Sequence, residues 1–137
     1  MDDLVLVDTS AWICFFARKN FINFKNSISI LLDENRIAIA GLILVELVQG
    51  AKTIREKKDI ERNIKSLHWL QITDDHWHSA ADLSFNLRRK GVTVSAIDTL
   101  ISVIARSYNC QLLHRDNDFE LIAKYSPLKL FDVNETR

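Results

Sequence analysis

Short runs of consecutive apolar residues recur along this chain, separated by longer stretches in which apolar positions return every three or four residues. Leu4-Val5-Leu6-Val7 is the first run, β-branched in part, and has the pattern of a strand covered on both faces. Asp8-Thr9-Ser10 supplies N-cap chemistry for a helix from Ala11 to Ala17, with Trp12, Ile13, Phe15 and Phe16 expected on its buried face. Ile22 to Leu32 repeats at helical spacing and ends at the polar Asp33-Glu34-Asn35 turn. Ile37 to Ala40 is a second strand, and Gly41 opens an apolar helix that stops at Gly50. Lys52 to Lys65 carries both charge signs around a thin stripe of Ile54, Ile60 and Ile64, as a solvated surface helix does. A short strand is expected at Trp69 to Ile72. Asp74 to Lys90 forms a long amphipathic helix with Trp77, Ala80, Ala81, Leu83 and Leu87 inward, closed by Gly91. Ser95-Ala96-Ile97-Asp98 fits a capping box ahead of the helix Ile97 to Ala105. A strand at Gln111 to His114, a short helix over Asp118 to Ala123 and a strand at Leu128 to Phe131 complete the series. Regular alternation of strand and helix predicts an α/β fold, a parallel sheet with helices on both faces.

Composition narrows the class. The 137 residues suit one domain, and 47% hydrophobic content with three glycines and one proline excludes a linker or a disordered segment. Lys plus Arg equals Asp plus Glu at 18 each, so a polyanion would have to be met by a local basic patch. Cys14 and Cys110 sit in apolar surroundings without metal-ligand spacing, the pattern of buried free thiols in a reducing compartment. The Met1-Asp2-Asp3 start has no basic leader, and no run is long enough for a membrane span, so a cytoplasmic location without membrane contact is expected.

Four carboxylates stand where the apolar pattern breaks. Asp8 follows the first run, Glu46 interrupts Leu42 to Val48, Asp98 heads an apolar helix, and Asp116 follows Gln111 to Arg115. Desolvating an unpaired charge in such places costs on the order of several kcal/mol. In an open parallel sheet, sites form outside the carboxyl ends of the strands, where Asp8 and Asp116 fall; Glu46 and Asp98, near helix starts, can face the same edge. Four carboxylates about 6 Å apart would repel by about 3 kcal/mol per pair at an effective dielectric of about 20, or about 17 kcal/mol in all. That rivals the roughly 5–15 kcal/mol stability of a whole domain. A hard divalent cation bound by oxygen ligands removes the repulsion and activates water against phosphate esters. Each acid also has a plainer use: Asp8, Asp98 and Asp116 fit helix caps, and Glu46, which caps nothing, fits an outer helix edge.

Four segments, in this order and at this spacing, resemble the PIN-domain ribonucleases and, within them, the VapC toxins of prokaryotic toxin–antitoxin pairs. They are Val7-Asp8-Thr9-Ser10-Ala11-Trp12, Leu44-Val45-Glu46-Leu47-Val48-Gln49-Gly50, Ala96-Ile97-Asp98-Thr99-Leu100-Ile101 and Leu112-Leu113-His114-Arg115-Asp116-Asn117-Asp118-Phe119. The resemblance implies a three-layer α/β/α sandwich with a central parallel sheet. It makes Asp8, Glu46, Asp98 and Asp116 catalytic acids of a metal site, with Asp118 as a further metal acid, and lets Thr9 or Ser10 orient an acid or a water. It further implies one or two Mg2+ ions, or Mn2+, and endonucleolytic RNA cleavage leaving a 5′-phosphate and a 3′-hydroxyl. A homodimer neutralised by a cognate VapB-like antitoxin is the implied assembly. His114-Arg115 departs from the small or hydroxyl residues the family often has before the last acid, and the role of His114 is open.

Weaker features surround this set. His76 and His78, two apart on a helix, do not share a face and make a poor metal pair. Arg88-Arg89-Lys90 and Arg18-Lys19 could rim a phosphate-binding surface or simply stabilise helix ends. Trp12, Phe15, Phe16, Phe21 and Phe24 offer aromatic surface to a second subunit or an antitoxin. Two rival readings are a noncatalytic PIN-like interaction domain and a receiver-like phosphoacceptor built on Asp2-Asp3 and Asp8.

Overall fold

In a computed structural model, residues 3–133 are described; Met1 and Asp2, part of the leader and phosphoacceptor expectations, lie outside them. The fully buried run Val5–Val7 forms β1, and Ile37–Ala40, equally buried, forms β2 beside it. His68–Leu70 is β3 and Gln111–Leu113 is β4. The sheet runs β3-β2-β1-β4 with every pair parallel, Leu6 lying between Ala38 on one side and Leu112 on the other. A strand enclosed by neighbours and by helices on both faces has no solvent side, which explains apolar runs without alternation.

The helices are α1 (Thr9–Phe16), α2 (Ile22–Asp33), α3 (Gly41–Gln49), α4 (Ile54–Ile64), α5 (Asp74–Arg89), α6 (Ala96–Ser107) and α7 (Asn117–Tyr125). Packing joins α1 to α2 and α3, and α3 to α4; separately, α6 packs on α5 and α7. Right-handed crossovers put α1–α4 on one face and α5–α7 on the other, because the chain steps from β1 through β2 to β3 and then returns past β1 to β4. The result is the three-layer α/β/α sandwich. The direction of winding reverses between β1 and β4, and a crevice opens at such a point outside the carboxyl ends of the strands.

Three expectations change. The third strand, expected at Trp69 to Ile72, covers His68–Leu70. Leu128 to Phe131 is no full strand: Leu130 makes an isolated parallel bridge to Leu112, framed by Leu112 N–H to Lys129 O and Phe131 N–H to Leu112 O, both 2.9 Å. Pro127 has no N–H to extend that ladder. Ile13 and Trp77 are 58% and 54% exposed, and Ala81 is exposed as well. On α5 the inward row is His76, Ala80 and Leu87, so Trp77 and Ala81, one position on, point about 100° away. The α1 aromatics pack on one another, with Phe15 and Phe16 still partly exposed: Trp12 is buried, with Phe15 in edge contact at 5.6 Å and Phe16 stacked at 5.8 Å. Lys25 on α2 closes α1 by donating to Phe15 O at 3.0 Å and to Ala17 O. Cys14 and Cys110 are buried and free, and among the described residues no helix is long and apolar enough to cross a membrane.

Candidate metal centre

Asp8 leaves β1 at the crevice and caps α1. Its Oδ2 accepts from the Ser10 N–H at 3.0 Å and the Ser10 hydroxyl at 2.6 Å, and the residue is only 5% exposed. Asp116, past the end of β4, caps α7 in the same way, Oδ1 accepting from the Asp118 N–H at 2.9 Å. Asp98 lies in the first turn of α6, where its N–H donates to Ser95 Oγ at 3.0 Å. These capping bonds engage one carboxylate oxygen of Asp8 and one of Asp116, so capping and a functional role are compatible for both acids. Glu46, half-buried on α3, accepts at Oε1 from the Thr9 hydroxyl at 2.6 Å, which ties it to the start of α1.

The structure brings Asp98, Asp116 and Asp118 together, each offering a carboxylate oxygen within 4.8 Å of the others. Asp8 is near enough to add its charge to Asp98. Burial pushes the Asp98 carboxyl up to about 8, with further upward pushes from a hydrogen bond to Asp118, the charges of Asp116 and Asp8, and a hydrogen bond to Asp116. Carboxyls bonded to one another must share a proton, so the cluster is short of positive charge. None of the ion pairs among the described residues involves Asp8, Glu46, Asp98, Asp116 or Asp118. Glu46 stands apart from the three-acid set and borders a groove of about 1000 Å³ between α1, α3 and α4, together with Phe16, Arg18, Lys52 and Arg55.

A donor set of three carboxylates, without thiolate or imidazole, suits a hard cation such as magnesium or manganese better than zinc. The three oxygens all lie within 4.8 Å of one another, on the scale of the about 4.2 Å between opposed ligands around magnesium. The residues therefore fit a divalent ion.

Ser10 is the joint between the two halves of the crevice. Its hydroxyl donates to Asp8 and accepts from the Arg115 N–H at 2.9 Å, linking the β1–α1 turn to the segment after β4. Ser10→Ala should lower stability by about 1–2 kcal/mol, read from urea unfolding, because it leaves the Arg115 amide and one Asp8 contact unmatched. Sequence reading missed two supports of the cluster. The Ser95 N–H donates to Asp118 Oδ2 at 3.0 Å across 23 positions, and the Asp116 N–H donates to the His114 ring at 3.0 Å. Asp118 itself was legible only through the resemblance, yet it is one of the three grouped acids. Arg89 lies over the Phe85 ring at 5.5 Å on α5, while Arg18 does reach the groove beside Glu46.

This arrangement of a 3-2-1-4 parallel sheet and clustered acids at the switch point defines a class: residues 5–125 match the PIN domain model, and the chain belongs to the PIN-domain family. Within that family it is similar to the VapC ribonucleases. It is 33% identical over 129 residues to ribonuclease VapC11 of Mycobacterium tuberculosis and, to the same degree, to a VapC ribonuclease of Mycobacterium bovis, with 92% of this chain and 96% of each relative covered. Among solved structures, the DNA-bound VapBC complex of Salmonella typhimurium shares the fold at a TM-score of 0.75 and 20% identity, over 96% of this chain and 99% of that one.

Proposed function

We propose that residues 1–137 form one nuclease domain, a divalent-metal-dependent endoribonuclease that acts in the cytoplasm as the toxin of a toxin–antitoxin pair and inhibits translation. The observation that carries the proposal is the grouping of Asp98, Asp116 and Asp118 beside Asp8 without an ion-pair partner among the described residues. The kinship with VapC ribonucleases supports RNA as substrate, and the VapBC fold relative supports a VapB-like antitoxin as partner; a homodimer is the assembly proposed with it.

Asp8, Asp98, Asp116 and Asp118, with Glu46 at the groove side, would hold one or two Mg2+ or Mn2+ ions. A bound ion would activate water and offset the negative charge that builds on the phosphate under attack. The chain's own residues do the rest. Ser10 and Thr9 fix Asp8 and Glu46 by short hydrogen bonds, so the acids are oriented before substrate arrives. Arg18, Lys52 and Arg55 line the groove next to Glu46 and can take backbone phosphates, whose contacts supply most nonspecific RNA affinity. Without a cation the acid cluster repels a phosphodiester, so metal and RNA should bind with positive coupling. Cys14 is buried and its thiol is pushed up by desolvation, which makes it a poor nucleophile. The receiver-like rival needs paired acids at the end of β1; Asp8 stands there, whereas Asp3 precedes the strand.

Induced expression in a bacterial host tests the proposal. Wild type should stop growth and leave discrete new fragments in total RNA, while Asp8→Asn at equal protein level should do neither. Equal arrest by the Asp8→Asn variant, or arrest with intact RNA, would remove the nuclease reading in favour of a noncatalytic interaction domain.

A further inference from the structure

Just past β4 the fold places an imidazole behind the acid cluster. The His114 side chain is 9% exposed, with its ring tilted against the buried Phe119 at 5.1 Å between centroids. The Asp116 N–H donates to Nδ1 at 3.0 Å, so Nε2 carries the ring hydrogen and donates to Glu120 Oε2 at 2.9 Å. With both nitrogens engaged, the ring is neither a cation ligand nor a base for water. The hydrogen bonds continue from there. Asp116 Oδ1 accepts from the Asp118 N–H at 2.9 Å, Asp118 Oδ2 accepts from the Ser95 N–H at 3.0 Å, and Ser95 Oγ accepts from the Asp98 N–H at 3.0 Å. All three grouped acids thus belong to one run of hydrogen bonds that starts at Glu120 and passes through His114.

We propose that His114, oriented by Glu120, is a positioning residue for the metal centre: through the Asp116 backbone it sets the Asp116–Asp118 turn and thereby the cluster's affinity for a divalent cation. Asp116 is in extended backbone at the very start of α7, where its amide belongs to neither strand nor helix. Nδ1 is the acceptor that amide is given, and an amide without one would swing toward solvent and carry the carboxylate with it. Three oxygens that must converge to within tenths of an ångström are sensitive to such a turn. Groups that orient metal ligands in this way typically contribute about 10–100-fold to metal affinity. The inference rests on the metal-centre reading above and adds to it a role for one residue.

The test titrates MgCl2, and separately MnCl2, into the chelator-stripped full chain by calorimetry, with circular dichroism melts as a folding check. His114→Leu keeps apolar packing on Phe119 without an acceptor. His114→Asn puts Oδ1 the same number of bonds from Cα as Nδ1. The Leu variant should bind at least about tenfold more weakly than wild type, whereas Asn should stay within about threefold. RNA cleavage by the Leu variant should return to the wild-type rate at saturating metal, so that the metal requirement moves and the maximal rate does not. If His114→Leu fails to fold, His114→Gln, whose acceptor lies one bond too far out, carries the same expectation. Wild-type affinity in the Leu or Gln variant, or equal weakness in Asn and Leu, would overturn the role of His114 and leave the metal centre standing. A wild type that takes up neither ion would overturn the metal centre and this role together.

Discussion

Asp98→Asn should lower RNA cleavage by about a thousandfold while raising the melting temperature of the metal-free protein. The loss follows from removing one of three grouped carboxylates, since about 4 kcal/mol of transition-state stabilisation corresponds to about three powers of ten in rate. The gain in stability comes from the same crowding. Asp98 is held up at about 8 by burial, by hydrogen bonding to Asp118 and by the charges of Asp116 and Asp8, all of which disfavour its ionised form. Below the ordinary carboxyl range both folded and unfolded chains carry the proton, and the group is neutral toward stability. As pH rises the unfolded chain ionises first, and the folded chain keeps its proton until about 8, so the metal-free protein loses stability across that interval and levels off above it. An asparagine cannot ionise and does not incur this penalty. Discounted for the solvent that reaches the site, the relief at pH 8 should be about 1–2 kcal/mol, or about 3–8 °C in Tm. Thermal melts in chelator at pH 5 and pH 8 check this: wild type should fall between them by more than the variant. Saturating magnesium should reverse the order, because it stabilises only the chain that binds it. A variant that melts lower than wild type at pH 8 in chelator would show that the cluster is not under repulsion.

Cation uptake should also expel a proton. A carboxyl held at about 8 is mostly protonated at pH 7, yet an oxygen ligand must be ionised, so binding at pH 7 should release about one proton and at pH 9 about a tenth of one. Apparent magnesium affinity should accordingly rise about tenfold per pH unit up to pH 8 and flatten beyond. Calorimetry in buffers of differing ionisation enthalpy measures the proton count directly. In Asp98→Asn the release should disappear along with most of the affinity. Affinity that does not change between pH 6 and pH 8 would contradict a shared proton in the cluster.

How far these features could be read from the chain depends on the distance over which each is encoded. β1 and β2 were legible because Val5–Val7 and Ile37–Ala40 are buried on both faces and hence apolar without interruption. β3, expected at Trp69 to Ile72, covers His68–Leu70, because a half-exposed edge strand has no uninterrupted apolar run to mark its ends. Trp77 and Ile13 are apolar yet exposed, and pattern does not separate them from core positions because single exposed apolar residues are ordinary on protein surfaces. In the site, Asp8 and Asp116 announced themselves as the first acids after strands. Their meeting with Asp98 required the return of the chain past β1, which pattern alone does not fix. Asp118 looked like an ordinary first-turn acid of α7, and its tie to the Ser95 amide spans 23 positions with no local signature. His114 carried no readable signal either, since its partners are a backbone amide and a glutamate six residues on.

Whether these acids form a metal centre that cuts RNA is decided by incubating purified wild type and Asp98→Asn with total cellular RNA, in magnesium and in chelator, and mapping the new 5′ ends by sequencing. Discrete 5′-phosphate ends should appear that need both magnesium and an intact Asp98. The same ends in chelator, or from Asp98→Asn at undiminished yield, would contradict a metal centre at these acids.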